Sequence, residues 1–189
     1  MHDVPYFDRF ARVYDLAMPA ADRADLEPGF ALADGDVSRV LDLGGGTGRV
    51  ARALDRETVV ADASRGMLAE ARDHGLPVVQ TDVRHVAVRD ESVDAVTIVD
   101  ALHHFPARDA ALAEAARVLR PGGVLVVRDF DPSTLRGRLL VAAERVVGFQ
   151  SRFDTADELG ARIERAGLEP RIVDTGFAFT VAGVKPGDG

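Results

Sequence analysis

Residues 40–50 read Val40-Leu41-Asp42-Leu43-Gly44-Gly45-Gly46-Thr47-Gly48-Arg49-Val50. A short apolar run enters a turn packed with glycine, an acid stands just before the turn, and a helical pattern follows. Glycine takes positive φ without strain and leaves main chain bare for a ligand, while the first turn of the next helix offers unpaired N–H groups. A strand, loop and helix start of this kind is a cradle for a nucleotide-type cofactor, so this segment bears on fold class and chemistry together.

The glycines are spaced Gly44-x-Gly46-x-Gly48. The dinucleotide fingerprint instead runs G-x-G-x-x-G/A and uses its third small residue for close helix-to-strand packing. In that register the third position is Arg49, too bulky for the tight pyrophosphate turn of a dehydrogenase. Asp42 points the same way, because a carboxylate beside the loop repels a pyrophosphate but suits an ammonium group, directly or through water. S-adenosylmethionine (SAM) carries such an amino-acid cation, and residues 40–48 resemble motif I of the class I SAM-dependent methyltransferases.

Outward from this loop, short β-branched runs alternate with helical patterns, the mark of βαβ units and a parallel sheet. Strands are predicted at 40–43, 58–61, 78–81, 93–99 and 124–130, with helices at 49–54, at 65–73 closed by Gly75, and at 108–119 stopped by Pro121-Gly122-Gly123. The polar link 82–92 is short enough to hold only a turn or a weak helix. A helix is predicted over 133–148, and the capping box Thr155-Ala156-Asp157-Glu158 starts another that runs to about Ala166. Strands at 171–174 and 177–184 then meet at a tight turn, Thr175-Gly176, which implies antiparallel pairing. The expected fold is α/β: a Rossmann-like, seven-stranded, mostly parallel sheet with helices on both faces, and the resemblance implies the reversed last strand. One domain spans 1–189. It comprises an N-terminal helical cap at 1–38, a cofactor-binding core at 39–131, and a lid helix, helix and final strand pair at 132–189. In the cap Tyr6, Phe7, Phe10, Val13, Tyr14 and Ala17 fall at helical spacing.

Ligands of an open parallel sheet bind at the carboxyl ends of its strands. An aspartate stands at that end of every predicted parallel strand: Asp42, Asp62, Asp82, Asp100, and Asp129 with Asp131. Any one alone reads as a turn or cap residue. All of them at one rim read as a site. Asp62 lies 18 residues after Gly44, near the offset at which an acid holds a ribose diol. Asp82 and Val83 are candidates for the adenine, through a side-chain acceptor and a backbone N–H. Asp100 and Ala101 sit where the methionine end of the cofactor meets the substrate.

The resemblance extends over residues 40–125. Val60-Ala61-Asp62 through Met67, with Ala63 between them, is similar to the acidic loop after motif I, and Asp82 and Asp94 to Phe105 are similar to the two motifs after that. Arg117-Val118-Leu119-Arg120-Pro121-Gly122-Gly123 resembles the segment leading into strand five. Together these identify the chain as similar to the type 11 small-molecule group, and they imply that Met67 packs on the adenine. Phe7-Asp8 with Tyr14-Asp15 is similar to the opening of several members, among them the C-methyltransferases of ubiquinone and menaquinone biosynthesis. The F-G-x-R-N segment of those enzymes is replaced here by Leu102-His103-His104-Phe105.

Methyl transfer from a sulfonium needs alignment and exclusion of water, and a base only where the nucleophile must lose a proton. His103 and His104, just past strand four, are the candidate bases. Adjacent side chains leaving a strand point apart, so at most one of the two is expected to face the cleft. Tyr6, Phe10, Tyr14 and Asp129 are the candidate acceptor contacts. Asp100-Ala101-Leu102-His103 lacks the [DN]-P-P-[FYW] motif of enzymes that methylate adenine or glutamine nitrogen, which points to a small-molecule or lipid-like acceptor.

Composition agrees. A formal net charge of −8 disfavours nonspecific nucleic-acid binding. No cysteine is present, and the five histidines have no H-E-x-x-H spacing, so no metal is expected. Charges through the first thirty residues exclude a signal or integral membrane segment there, and a cytoplasmic location is expected. Lys185 is the only lysine, a bias consistent with salt adaptation or with codon composition. Two other classes stay open at this level: a SAM-binding module without catalysis, and a nicotinamide dehydrogenase, which would need a small residue in place of Arg49.

Overall fold

The structure is a computed structural model that describes residues 7–8, 22–149 and 151–187. Seven strands form one sheet: β1 (Arg39–Leu43), β2 (Glu57–Asp62), β3 (Val78–Gln80), β4 (Val93–Val99), β5 (Leu119–Phe130), β6 (Glu169–Asp174) and β7 (Ala178–Val184). Their order is β3-β2-β1-β4-β5-β7-β6. The β1, β2, β3, β4 and β5 pairings are parallel, and β7 runs antiparallel to both β5 and β6. The expected reversal is therefore present. β7 lies between β5 and β6, because the tight turn after β6 brings the chain back into the sheet rather than to its edge.

The described helices are α1 (Glu27–Phe30), α2 (Arg49–Ala53), α3 (Arg65–Asp73), α4 (Arg108–Val118), α5 (Leu135–Val147) and α6 (Ala156–Arg165). They cover both faces. Leu112, Ala115 and Val118 of α4 and Leu159 and Ile163 of α6 pack on Leu41, Leu43, Val96, Ile98, Leu125 and Val181. On the other face Leu26, Phe30 and Val50 meet Val40, Ala95, Val124 and Val126, and Leu68 and Ala71 meet Val60. The central strands read as unbroken apolar runs because both of their faces are covered. Leu26 and Phe30, within the predicted cap, are buried members of this core. Phe7 and Asp8 are described, whereas Tyr6, Phe10 and Tyr14 lie outside the described residues.

Local chemistry sets the helix ends. The Ser64 side chain accepts from the Met67 N–H, Thr134 from Gly137, and Thr155 and Glu158 close the predicted capping box. β5 begins at Leu119, five residues before the predicted Val124. Pro121-Gly122-Gly123 does not precede the strand but forms an irregularity inside it, where the register jumps from Val93↔Leu119 to Ala95↔Val124. None of the described helices is long and apolar enough to cross a membrane.

This topology fixes where a ligand sits. Strand order reverses between β1 and β4, so the carboxyl ends of those neighbours open a crevice. The glycine loop follows β1, and the Asp100-to-His104 segment follows β4.

Candidate active site

The loop after β1 is held by left-handed backbone at Gly44 (φ 76°), Gly46 (φ 56°) and Gly48 (φ 80°). A side chain on Gly44 would strike the Phe105 ring at 2.8 Å, and one on Gly45 would strike the Asp42 carboxylate. At Gly46 the nearest atom to a built Cβ is the Met67 sulfur at 3.8 Å. That is ordinary van der Waals contact with a flexible side chain, so the Gly46 main chain is uncrowded, as a ligand lying on it requires.

Asp42 is buried beneath this loop. Its Oδ1 accepts from the Thr97 hydroxyl across the β1–β4 pair at 2.9 Å. Its Oδ2 is buried with no hydrogen-bond partner. Burial, with a smaller push from Asp62, raises its pKa to about 7, against the pull of Thr97 and Arg49. An orphaned carboxylate oxygen under a glycine cradle fits a ligand carrying a cation, as the ammonium of SAM does.

Asp62 ends β2 and turns onto the loop, with Oδ2 accepting from Gly46 N at 3.0 Å and Oδ1 from Ser64 N at 2.8 Å. Burial raises its pKa. Asp8 enters from the N-terminal segment and accepts from the Ser64 hydroxyl (2.6 Å) and Gly66 N (2.8 Å), capping α3 beside Ala63 and Met67. Asp82 is engaged otherwise: its carboxylate takes the Arg84 backbone and guanidinium, at 2.6 Å for Oδ2, and those bonds hold its pKa at about 2. An adenine amino group would compete with Arg84 for it. Val83 is buried in the core.

After β4, Asp100 adopts φ 52° although it is not glycine, strain of the kind found at functional sites. Its carboxylate lies 3.4 Å from the Arg49 guanidinium, and burial still raises its pKa. Arg49, which excludes the dinucleotide register, is thus a partner of the rim acids. Ala101 is buried, its Cβ facing Gly44.

The next turn, Leu102–His104, is a 3-10 helix, and it brings both histidine rings together with centroids 4.1 Å apart. The predicted divergence of adjacent side chains fails because the chain has left strand geometry. His103 is buried, and its Nδ1 lies 2.6 Å from Oδ1 of Asp129 on β5, whose Oδ2 accepts from the His103 N–H. The carboxylate can only accept, so Nδ1 carries the hydrogen, and in the neutral ring Nε2 keeps its lone pair. Nε2 lies 3.7 Å from Oε1 of Glu144 on α5. Burial pushes the His103 pKa down, but the carboxylates of Asp129, Glu144 and Asp100 outweigh it and leave it raised. Asp129, expected as an acceptor contact, is turned toward His103. His104 lies 3.2 Å from the Ser151 hydroxyl, and burial beside His103 lowers its pKa to about 2, so it stays neutral.

Aromatic rings wall this end. Phe153 stacks on His103 at 4.3 Å, Phe7 and Phe149 stand edge-on to His104, and Phe130 is 6.3 Å from His103. Glu144 has a second buried oxygen, Oε2, with no hydrogen-bond partner. Sequence spacing did not single out Glu144 or Thr97, and it marked Arg49 only as too bulky for a dinucleotide turn, since each meets the site only through the fold. His103, His104 and Glu144 place one ligand-type atom each within 4.8 Å of one another, a grouping that no linear motif announces.

A family model described as "Methyltransferase domain" matches residues 41–127. The chain is 34% identical to the demethylmenaquinone methyltransferase of Mycobacterium sp. (strain KMS), over 91% of this chain and 84% of that one. It is 36% identical to the methyltransferase GfsG of Streptomyces halstedii, over 69% of this chain and 52% of that one. A SAM-dependent methyltransferase of Thermotoga maritima shares the fold with a TM-score of 0.75, at 23% identity over 97% of this chain and 96% of that one.

Proposed function

Because this chain belongs to the class I SAM-dependent methyltransferases, we propose that it methylates a small apolar acceptor with an acidic phenol-type hydroxyl, such as a hydroquinone. His103 is the proposed base. SAM, when bound, supplies an electrophilic methyl group for in-line displacement.

The observation that carries this reading is the buried His103–Asp129 pair, the His103 ring stacked on Phe153 and its Nε2 3.7 Å from Glu144 Oε1, at an end of the crevice walled by phenylalanine rings. The acceptor hydroxyl gives its proton to Nε2, and Asp129 stabilises the imidazolium that results. The phenolate left behind is nucleophilic at oxygen and at the conjugated ring carbon. The Phe7, Phe149 and Phe153 rings exclude water and offer flat apolar surface to a planar acceptor. The mycobacterial relative is named a demethylmenaquinone methyltransferase and one from Cupriavidus pinatubonensis a ubiquinone/menaquinone biosynthesis C-methyltransferase, which supports an acceptor of the quinol type.

On the cofactor side, Asp42 and the bare main chain of Gly44, Gly45, Gly46 and Gly48 are proposed to hold the amino-acid end. Asp62 is proposed to hold the ribose, and Ala63, Met67, Asp82 and Val83 to border the adenine. Asp100 and Ala101 are proposed to stand where the methionine end meets the acceptor, and His104 to border the acceptor. Incubating the protein with methyl-labelled SAM and a panel of hydroquinones, aliphatic alcohols and amines tests the reading. Labelled product is expected with the hydroquinones, formed about 10²-fold or more slowly by His103→Gln. Transfer confined to amines would overturn it.

A further inference from the structure

The outward face of α5 has no place in the chemistry above. Leu135, Leu139 and Val146 are 76%, 64% and 88% exposed. With Ala142 they fall on one stripe at the helical repeat, whereas Gly137, Leu140, Val141 and Glu144 occupy the side turned to the protein. Scattered exposed aliphatics are ordinary, but a continuous stripe on one helix marks a contact surface.

The charges beside the stripe name the partner. Arg136 flanks it on one side and Arg138 and Arg145 on the other, all exposed, and the outward half of the helix carries no acid. This is a local reversal in a chain of net charge −8. An apolar centre with long cationic side chains at its margins is the pattern of a helix lying in the surface of a bilayer. The aliphatics enter the acyl boundary and the guanidinium groups reach headgroup phosphates. A second copy of the chain fits less well, since apposed stripes would bring arginine rows of like charge together.

We infer that α5 docks the protein on membrane surfaces bearing anionic lipid. The inward side of the same helix carries Glu144, 3.7 Å from His103 Nε2, so docking sets the reaction chamber beside the bilayer from which an apolar acceptor leaves. The acceptor rests on the reading proposed above; the docking does not.

Flotation with vesicles of phosphatidylcholine alone, or phosphatidylcholine mixed with phosphatidylglycerol, tests it without any turnover. The protein should float with the mixed vesicles and be released by sodium chloride. Leu139→Glu combined with Val146→Glu should abolish flotation. Arg136→Gln, Arg138→Gln and Arg145→Gln should each weaken it about fivefold. Melting temperature and SAM binding should stay at parental values in every variant. A parent that floats with neither vesicle, or a double glutamate variant that floats like the parent, overturns the inference. So does a parental dimer that Leu139→Glu converts to monomer without vesicle binding.

Discussion

His103, in the 3-10 turn that follows β4, and Asp129, near the end of β5, are locked together at 2.6 Å with both side chains buried. The carboxylate fixes the tautomer that leaves Nε2 basic, and it raises the proton affinity of that base.

The reaction should therefore accelerate with pH as His103 loses its proton, with an acid limb above the ordinary histidine value of 6.5. Glu144→Gln removes one of the carboxylates holding that proton and should move the limb to lower pH, which a profile of kcat/KM checks. A limb that stays in place would show that Glu144 acts on something other than His103.

Asp42 should trade stability for binding. Its pKa of about 7 in the fold lies above its unfolded value of 3.8, so the folded chain holds this proton more tightly. The resulting penalty is absent below about pH 4 and grows until about pH 7. Asp42→Asn should be more stable than the parent by about 1–3 kcal/mol at pH 8, with melting temperatures that converge only below about pH 4. Its SAM affinity, measured by calorimetry, should fall.

Asp62→Ala should weaken SAM binding by about 1.5–3 kcal/mol, by leaving ribose hydroxyls without a charged acceptor. Because Asp62 also holds the Gly46 and Ser64 N–H groups, its melting temperature should fall as well. Gly46→Ala meets nothing closer than the Met67 sulfur at 3.8 Å but forces φ 56° on a residue with a Cβ. Calorimetry should show the two variants impaired, and parental affinity in both would remove the loop from the cofactor site.

Folding stability should rise as sodium chloride is raised from about 0.1 M toward molar levels, where the screening length falls from about 10 to 3 Å. Screening relieves the repulsion of a net charge of −8. Half-buried pairs such as Arg108–Asp154 and Arg120–Asp94 are screened less than the surface charge. Thermal melts with a neutral osmolyte as control provide the check, and a flat or falling melting temperature would assign the arginine bias to codon composition.

The sheet was legible because its signals are local. Each parallel strand is a short apolar run ended by an aspartate, and Thr155 and Glu158 announce their helix outright. The strand start at Leu119 was missed because Pro121-Gly122-Gly123 reads as a stop, and only pairing with β4 makes it a bulge. At the site, the acids of the rim could be read from their positions at strand ends. Their partners could not. Arg49 meets Asp100, Asp129 turns to His103, and Glu144 arrives from α5, all through contacts between residues far apart in the chain. Asp82 was placed correctly at its strand end, but its pairing with Arg84 depends on the turn that follows.

The most direct test is a single-turnover reaction with methyl-labelled SAM and a hydroquinone acceptor, comparing the parent with His103→Gln. The account predicts label on the hydroxyl oxygen or the adjacent ring carbon, an equal amount of S-adenosylhomocysteine, and a rate at least about 10²-fold lower in the variant at unchanged SAM affinity. Label on a nitrogen acceptor instead, or an unchanged rate in His103→Gln, would contradict it.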